Sequence, residues 1–156
     1  MIQKWINALV WRNGEMVDEP LYLENGYIIA PPRANEPVET VDMAGALLMP
    51  GFLDIHTHGC ANVDVNAADR AGYETMSAFF ARQGTAGFLC SILTDTVEQT
   101  EACIRTAVDA IERPLPGARL MGIHLEGPFL SPQFKGAMPE HLLRQGDAAL
   151  AELKSL

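Results

Sequence analysis

The stretch Leu47-Leu48-Met49-Pro50-Gly51-Phe52-Leu53-Asp54-Ile55-His56-Thr57-His58-Gly59 decides how the rest of the chain is read. Side chains of an extended strand alternate between faces, so His56 and His58 point one way while Ile55 and Thr57 point the other. Two imidazoles then stand side by side, and Gly59 ends the strand. The carboxyl end of a strand is where a parallel α/β fold presents its ligands.

Downstream of Leu47 strands alternate with helices, the pattern of βαβ units and a parallel sheet. A first helix starts at or beside Asp69, with Tyr73, Met76, Phe79 and Phe80 at helical spacing and Gly84 just past its end. Gly87 to Leu93 is an almost continuous apolar run, as in a strand buried on both faces. Thr96 and Gln99 read as a capping box that opens a second helix, whose stripe is Ile104, Ala107, Val108 and Ile111 and which Pro114 and Pro116-Gly117 close. A third strand runs from Arg119 to Glu126 and ends at Gly127-Pro128. Pro139 suits the first turn of a third helix continuing through Leu142 and Leu143.

Upstream, residues 1–46 read as β-structure. Trp5 to Trp11 is a strand, Asn13-Gly14 and Asn25-Gly26 are hairpin turns, Tyr27 to Ile29 is a second strand, and Val38 to Val41 adds a short one. The expected organisation is a small β-domain over 1–46 and an α/β domain over 47–156. Three βα units fall short of an eight-stranded barrel, which takes roughly 250 residues. The α/β part is therefore read as a fragment of such a barrel or as a smaller open sheet.

The chain has 156 residues and a formal net charge of −9, with no basic stripe to meet phosphates, which argues against a nucleic-acid partner. Neither a secretory leader nor a long apolar span is read in it, so the expected location is the cytoplasm, with no membrane partner. Cys60, Cys90 and Cys103 lack metal-binding or paired spacing and read as small apolar packers.

By alternation His124 and Glu126 share a face of the third strand, with Glu126 outermost. If the sheet curves, His56, His58 and Glu126 converge on one rim. Imidazole nitrogen and carboxylate oxygen are ordinary ligands of zinc, iron or manganese. A divalent metal held this way lowers the pKa of water and polarises a carbonyl, which suits hydrolysis of an amide or related C–N bond. The competing readings are a half-exposed polar strand end for the His pair and a loop or capping carboxylate for Glu126. His124, one layer deeper, reads as a hydrogen-bonding support or core histidine, Asp54 as a deeper support sharing the parity of His56, and His141 as a solvated helix residue.

Two segments carry a family resemblance. Pro50 to Gly59 resembles the first-strand motif of the amidohydrolase superfamily. Gly122-Ile123-His124-Leu125-Glu126-Gly127-Pro128-Phe129-Leu130, followed by Lys135-Gly136-Ala137, is similar to the narrower signature of N-acetylglucosamine-6-phosphate deacetylases. The resemblance implies the N-terminal portion of a metal-dependent hydrolase: part of a small β-sandwich and the first three βα units of a (β/α)8 barrel. The reaction implied is removal of acetate from N-acetylglucosamine 6-phosphate, a phosphorylated amino-sugar substrate, by a cytoplasmic homodimer. Glu126 matches the family's metal-binding glutamate, and His56 and His58 match a pair that some members use for a second metal, so one or two metals per full-length subunit are implied. Ala137 and Met138 match a substrate-binding pair near the sugar, where the family often carries histidine at the position of Met138. The family's remaining metal-binding histidines, phosphate contacts and catalytic aspartate have no counterpart here, so no catalytic residue is assigned and the chain alone is expected to be inactive. The alternatives are a dihydroorotase-like or adenine-deaminase-like amidohydrolase and a non-catalytic metal-binding or assembly module.

Overall fold

In the computed structural model, which describes residues 1–147, 150 and 151, the chain divides into two compact units, Met1–Pro50 and Gly51–Leu156.

The first unit is a single five-stranded sheet built on β1 (Ile2–Arg12). β2 (Glu15–Val17) and β3 (Leu21–Glu24) pair antiparallel with opposite ends of β1, and β4 (Tyr27–Ile29) extends β3. Asn13-Gly14 and Asn25-Gly26 all take positive φ, as the tight hairpin turns require. β5 (Val38–Leu48) lies parallel to β1, but the register moves from Ile6↔Asp42 to Ala8↔Ala46. Asn7, Ala44 and Gly45 adopt positive φ at this irregularity. Asp42 fastens it, because its Oδ1 accepts Ala44 N–H at 2.8 Å and Asn7 Nδ2–H at 2.9 Å. The strand expected to stop at Val41 therefore continues, and Leu47 and Leu48 belong to this sheet. The unit boundary falls after Pro50, which lacks an N–H for any ladder, and not after residue 46. One face buries Ala8 and Val10 while Leu9 and Trp11 on the other stay exposed. Among the described residues this unit is a single sheet layer.

The second unit is an α/β layer whose parallel sheet has the order β6 (Phe52–Thr57), β9 (Thr85–Leu93), β10 (Arg119–Glu126). Between β6 and β9 come the short hairpin β7 (Gly59–Cys60) and β8 (Val63–Asp64) and then α1 (Arg70–Arg82); α2 (Val97–Glu112) links β9 to β10. The hairpin was not read from sequence, since Ala61 occupies one of its two positive-φ turn positions, where Ala is a poor signal. Gly59 begins it with φ +135°, and a Cβ there would lie 2.0 Å from Val63 O.

Asp69 caps α1 by accepting Gly72 N–H at 2.8 Å, and Gly84 follows the helix in the left-handed region. Thr96 accepts Gln99 N–H, but the reciprocal half of the expected capping box is absent. Gln99 Nε2 donates to Asn66 O at 2.7 Å, and Thr96 N–H goes to Asp95 Oδ1. The core gathers Tyr73, Met76 and Phe80 of α1, Phe88, Cys90 and Ile92 of β9, and Cys103, Ala107 and Ala110 of α2. The Phe80 and Phe88 rings lie 4.8 Å apart. The buried stripe of α2 is rotated from the one expected: Thr100, Cys103, Ala107 and Ala110 face inward, Ile104 and Ile111 flank them, and Val108 is exposed. Small side chains at the contact let the helix approach closely, leaving the bulkier Val108 outside.

The third helix expected from Pro139 is not formed there. Pro139 is a non-helical cap (ψ 125°), Glu140–Leu142 closes as one 3₁₀ turn, and Leu143 has already left it at ψ 145°. No helix among the described residues is long and apolar enough to cross a membrane.

Candidate metal centre

His56 and Glu126 lie at the carboxyl ends of β6 and β10, and His58 lies one residue past the end of β6. β9 separates the two strands, so the site spans the whole sheet. His56 Nε2 is 3.1 Å from His58 Nε2 and 3.0 Å from Glu126 Oε2, and His58 Nε2 is 2.9 Å from the same carboxylate oxygen. The three side chains are 51, 40 and 32% exposed, so a solute reaches them from solvent.

Further bonds orient each group. His58 Nδ1 donates to the carbonyl of Ser91 at 3.0 Å. A carbonyl only accepts, so the Nδ1 proton is assigned and the Nε2 lone pair of a neutral ring faces the centre. Ser91 is fully buried, and its Oγ is also 3.0 Å from Nδ1 of His124. The His124 ring packs on His56 with centroids 4.9 Å apart, as a support and not one of the converging ligands. Asp54 Oδ1 accepts the backbone N–H of His56 at 3.0 Å. Strict alternation between these two residues does not hold, because the ladder runs Asp54↔Phe88 and then Thr57↔Cys90, leaving one extra residue on β6. Asp54 thus reaches the pair through the main chain.

The donor set fits a divalent cation. Ligand atoms about 2.0–2.1 Å from a shared ion would stand ~2.9 Å apart at octahedral angles and ~3.3 Å apart at tetrahedral ones, and the observed edges are 2.9–3.1 Å. Two imidazoles and a carboxylate are a donor set that would hold a divalent ion and, when it is bound, supply Lewis acidity. Among the described residues this is the group of histidine, cysteine and acidic side chains that could hold a metal.

Ala137 and Met138 lie in the turn after β10, where Lys135 Nζ donates to Met138 O at 2.9 Å and Met138 N–H returns to Lys135 O. Ala137 is exposed and Met138 is buried. His141 is exposed on the 3₁₀ turn. Cys60, Cys90 and Cys103 all pack in or against the core, and burial pushes each thiol above its ordinary value.

Sequence reasoning missed Ser91 and Asn66. Asn66 secures the end of β9 from both sides, since its Oδ1 accepts Leu93 N–H at 2.8 Å and its Nδ2 donates to Leu93 O and to Asp95. A serine inside the apolar run Gly87–Leu93 was the available signal; Asn66, in a linker, offered none.

Fold and site together define an α/β chain that gathers His56, His58 and Glu126, a group that could hold a metal ion, at the carboxyl ends of parallel strands. The chain is similar over most of its length to N-acetylglucosamine-6-phosphate deacetylases. It is 33% identical to the enzyme of that name from Bacillus subtilis, over 92% of this chain and 40% of that one. It is 32% identical to the N-acetylgalactosamine-6-phosphate deacetylase of Escherichia coli O157:H7, over 95% of this chain and 38% of that one. The crystal structure of N-acetylglucosamine-6-phosphate deacetylase from Thermotoga maritima superposes with a TM-score of 0.75 at 28% identity, over 97% of this chain and 39% of that one. The Pasteurella multocida structure, at 23% identity and a TM-score of 0.80, shows the same fold. The chain thus spans about two fifths of the length of the relatives it matches. No protein-family model matches it.

Proposed function

We propose that the chain forms part of a metal-dependent deacetylase that hydrolyses N-acetylglucosamine 6-phosphate to glucosamine 6-phosphate and acetate. The observation that carries this reading is the convergence of His56, His58 and Glu126 within 3.1 Å of one another, in a chain whose relatives bear that activity in their names. His56, His58 and Glu126 would hold a divalent cation, zinc, iron or manganese, which when bound would supply the Lewis acidity that activates water and polarises an amide carbonyl. The chain's own residues prepare the site. Ser91 O sets the His58 tautomer, Ser91 Oγ and His124 brace the ring of His56, and Asp54 holds the His56 backbone. The open side of the triad faces solvent, where a substrate's acetamide could enter. In this reading Ala137 and Met138 line the sugar, and a second metal, homodimeric assembly and a cytoplasmic location follow the family resemblance.

The E. coli relative gives a specific reason for a second reading, N-acetylgalactosamine 6-phosphate as substrate. Acetate release by the longest polypeptide that contains this chain, assayed with both sugars after metal reconstitution, tests the proposal. Metal-dependent turnover of the glucosamine derivative is expected, preference for the galactosamine derivative selects the second reading, and inactivity on both overturns the assignment.

A further inference from the structure

We infer that Thr94 is a positioning residue for Glu126, an inference that rests on the metal-site reading above. Thr94 follows β9 directly and is 7% exposed. Its Oγ1 donates to the main-chain carbonyl of Glu126 at 2.9 Å. That carbonyl sits where β10 ends, at the residue whose side chain closes the triad. The ladder between the strands reaches Glu126↔Leu93 and stops there, so the hydroxyl bond is one residue beyond the last register pair. It continues the clamp where regular strand pairing has run out.

Two further observations show that the contact is built in. Gly127 has φ +93°, and a Cβ on it would stand 2.0 Å from Thr94 Oγ1. The chain passes over the hydroxyl so closely that only glycine leaves room for the bond. On its other side Thr94 is anchored by its neighbour, since Leu93 gives both its N–H and its carbonyl to Asn66. A firm line of contacts thus runs from Asn66 through Leu93 and Thr94 to the main chain of Glu126. The contact of Thr94 with the site is this bond to the Glu126 main chain, so its effect is argued to pass through the placement of Glu126. Groups that hold metal ligands in place contribute roughly 10–100-fold to affinity.

The test is Co²⁺ binding by the full chain, read as dissociation constant and as the visible absorption band of the bound ion. Wild type, Thr94→Val, Thr94→Ser and, as a control for the site itself, Glu126→Gln are compared, each with its melting curve. Thr94→Val is expected to bind about 10-fold more weakly with an altered band, and Thr94→Ser, which keeps the hydroxyl, to restore both. Thr94→Ala serves the same comparison if the valine variant does not melt cooperatively. An unchanged affinity and band in a folded, hydroxyl-less variant would overturn the inference even if its melting temperature falls, as would equal losses in Thr94→Val and Thr94→Ser. If wild type and Glu126→Gln bind Co²⁺ alike, the metal-site reading itself fails, and this inference with it.

Discussion

His58 holds Nδ1 to the Ser91 carbonyl at 3.0 Å while its Nε2 stands 2.9 Å from Glu126 Oε2. The first contact fixes what the second can be. With the proton assigned to Nδ1, a neutral His58 brings a lone pair to a carboxylate oxygen, and His56 Nε2 is 3.1 Å from the same nitrogen. Electron-rich atoms at such separations need positive charge among them, whether a proton or a metal ion. The central strand orients the His58 ring from behind through the Ser91 carbonyl, an arrangement that suits the cation proposed for this site.

Replacing Gly127 with alanine should disrupt this arrangement from the backbone. The residue has φ +93°, and the new Cβ meets Thr94 Oγ1 at 2.0 Å and Leu130 Cδ1 at 3.4 Å. Backbone strain and the displaced hydroxyl together should cost roughly 2 kcal/mol or more. Urea unfolding of Gly127→Ala checks this, and a midpoint equal to wild type would contradict it.

Asn66→Ala should be among the more damaging single changes in the second unit. It removes the acceptor of Leu93 N–H and the donor to Leu93 O and Asp95, leaving half-buried main-chain groups unpaired. A loss of about 2–3 kcal/mol is expected. Hydrogen exchange should localise the loss, with the Leu93 amide far less protected; an unaltered exchange rate at Leu93 would show that the bond contributes little.

Tyr73→Phe should behave in the opposite way. The Tyr73 hydroxyl is completely buried, lies beside the Cys90 thiol and is the buried side-chain polar atom without a hydrogen-bond partner among the described residues. Burial drives its ionisation far above the ordinary tyrosine range. With only the weak Cys90 thiol beside it, deleting this buried hydroxyl is predicted to leave stability unchanged or raise it by about 1 kcal/mol. Thermal melting of the variant measures this, and clear destabilisation would mean that the hydroxyl has a partner in solution.

In the first unit, Asp42 gives a pH-dependent prediction. The Ala44 N–H and then the Asn7 amide hold its carboxyl below the ordinary value of 3.8. A carboxylate with a depressed folded-state pKa stabilises above the unfolded value, and that contribution disappears as pH falls through the folded one. The gap in melting temperature between wild type and Asp42→Ala should therefore be largest near neutrality and shrink below about pH 4. Both tryptophans, Trp5 and Trp11, lie in β1, so fluorescence follows this sheet. A gap that widens on acidification would refute the linkage.

Much of this was legible because it rests on local chemistry. The helix starts at Asp69 and Thr96 and the Asn-Gly turns follow from side-chain capping and positive φ, which short sequence patterns report. The convergence of His56, His58 and Glu126 was legible because strand-end position constrains which residues share a rim. What escaped depends on register, which no local pattern encodes. The extra residue on β6 separates Asp54 from the parity of His56, and the irregularity at Asp42 carries β5 past Val41. The rotated stripe of α2 escaped for a related reason: helical periodicity finds an apolar face, but close packing selected the small residues Cys103, Ala107 and Ala110 within it. Ser91 and Asn66 act through the main chain of other strands, so their importance shows only once the strands are paired.

Equilibrium binding of Zn²⁺ or Co²⁺ to the 156-residue chain, with Glu126→Gln and the His56→Ala, His58→Ala double substitution beside it, tests the central claim most directly. The predicted result is saturable binding of at least one ion per chain, weakened in both variants by more than the roughly 10–100-fold that losing an outer hydrogen-bond partner costs, because each removes a direct ligand. Binding that is absent from the wild-type chain, or unchanged when these ligands are removed, would contradict the metal centre proposed at the ends of β6 and β10.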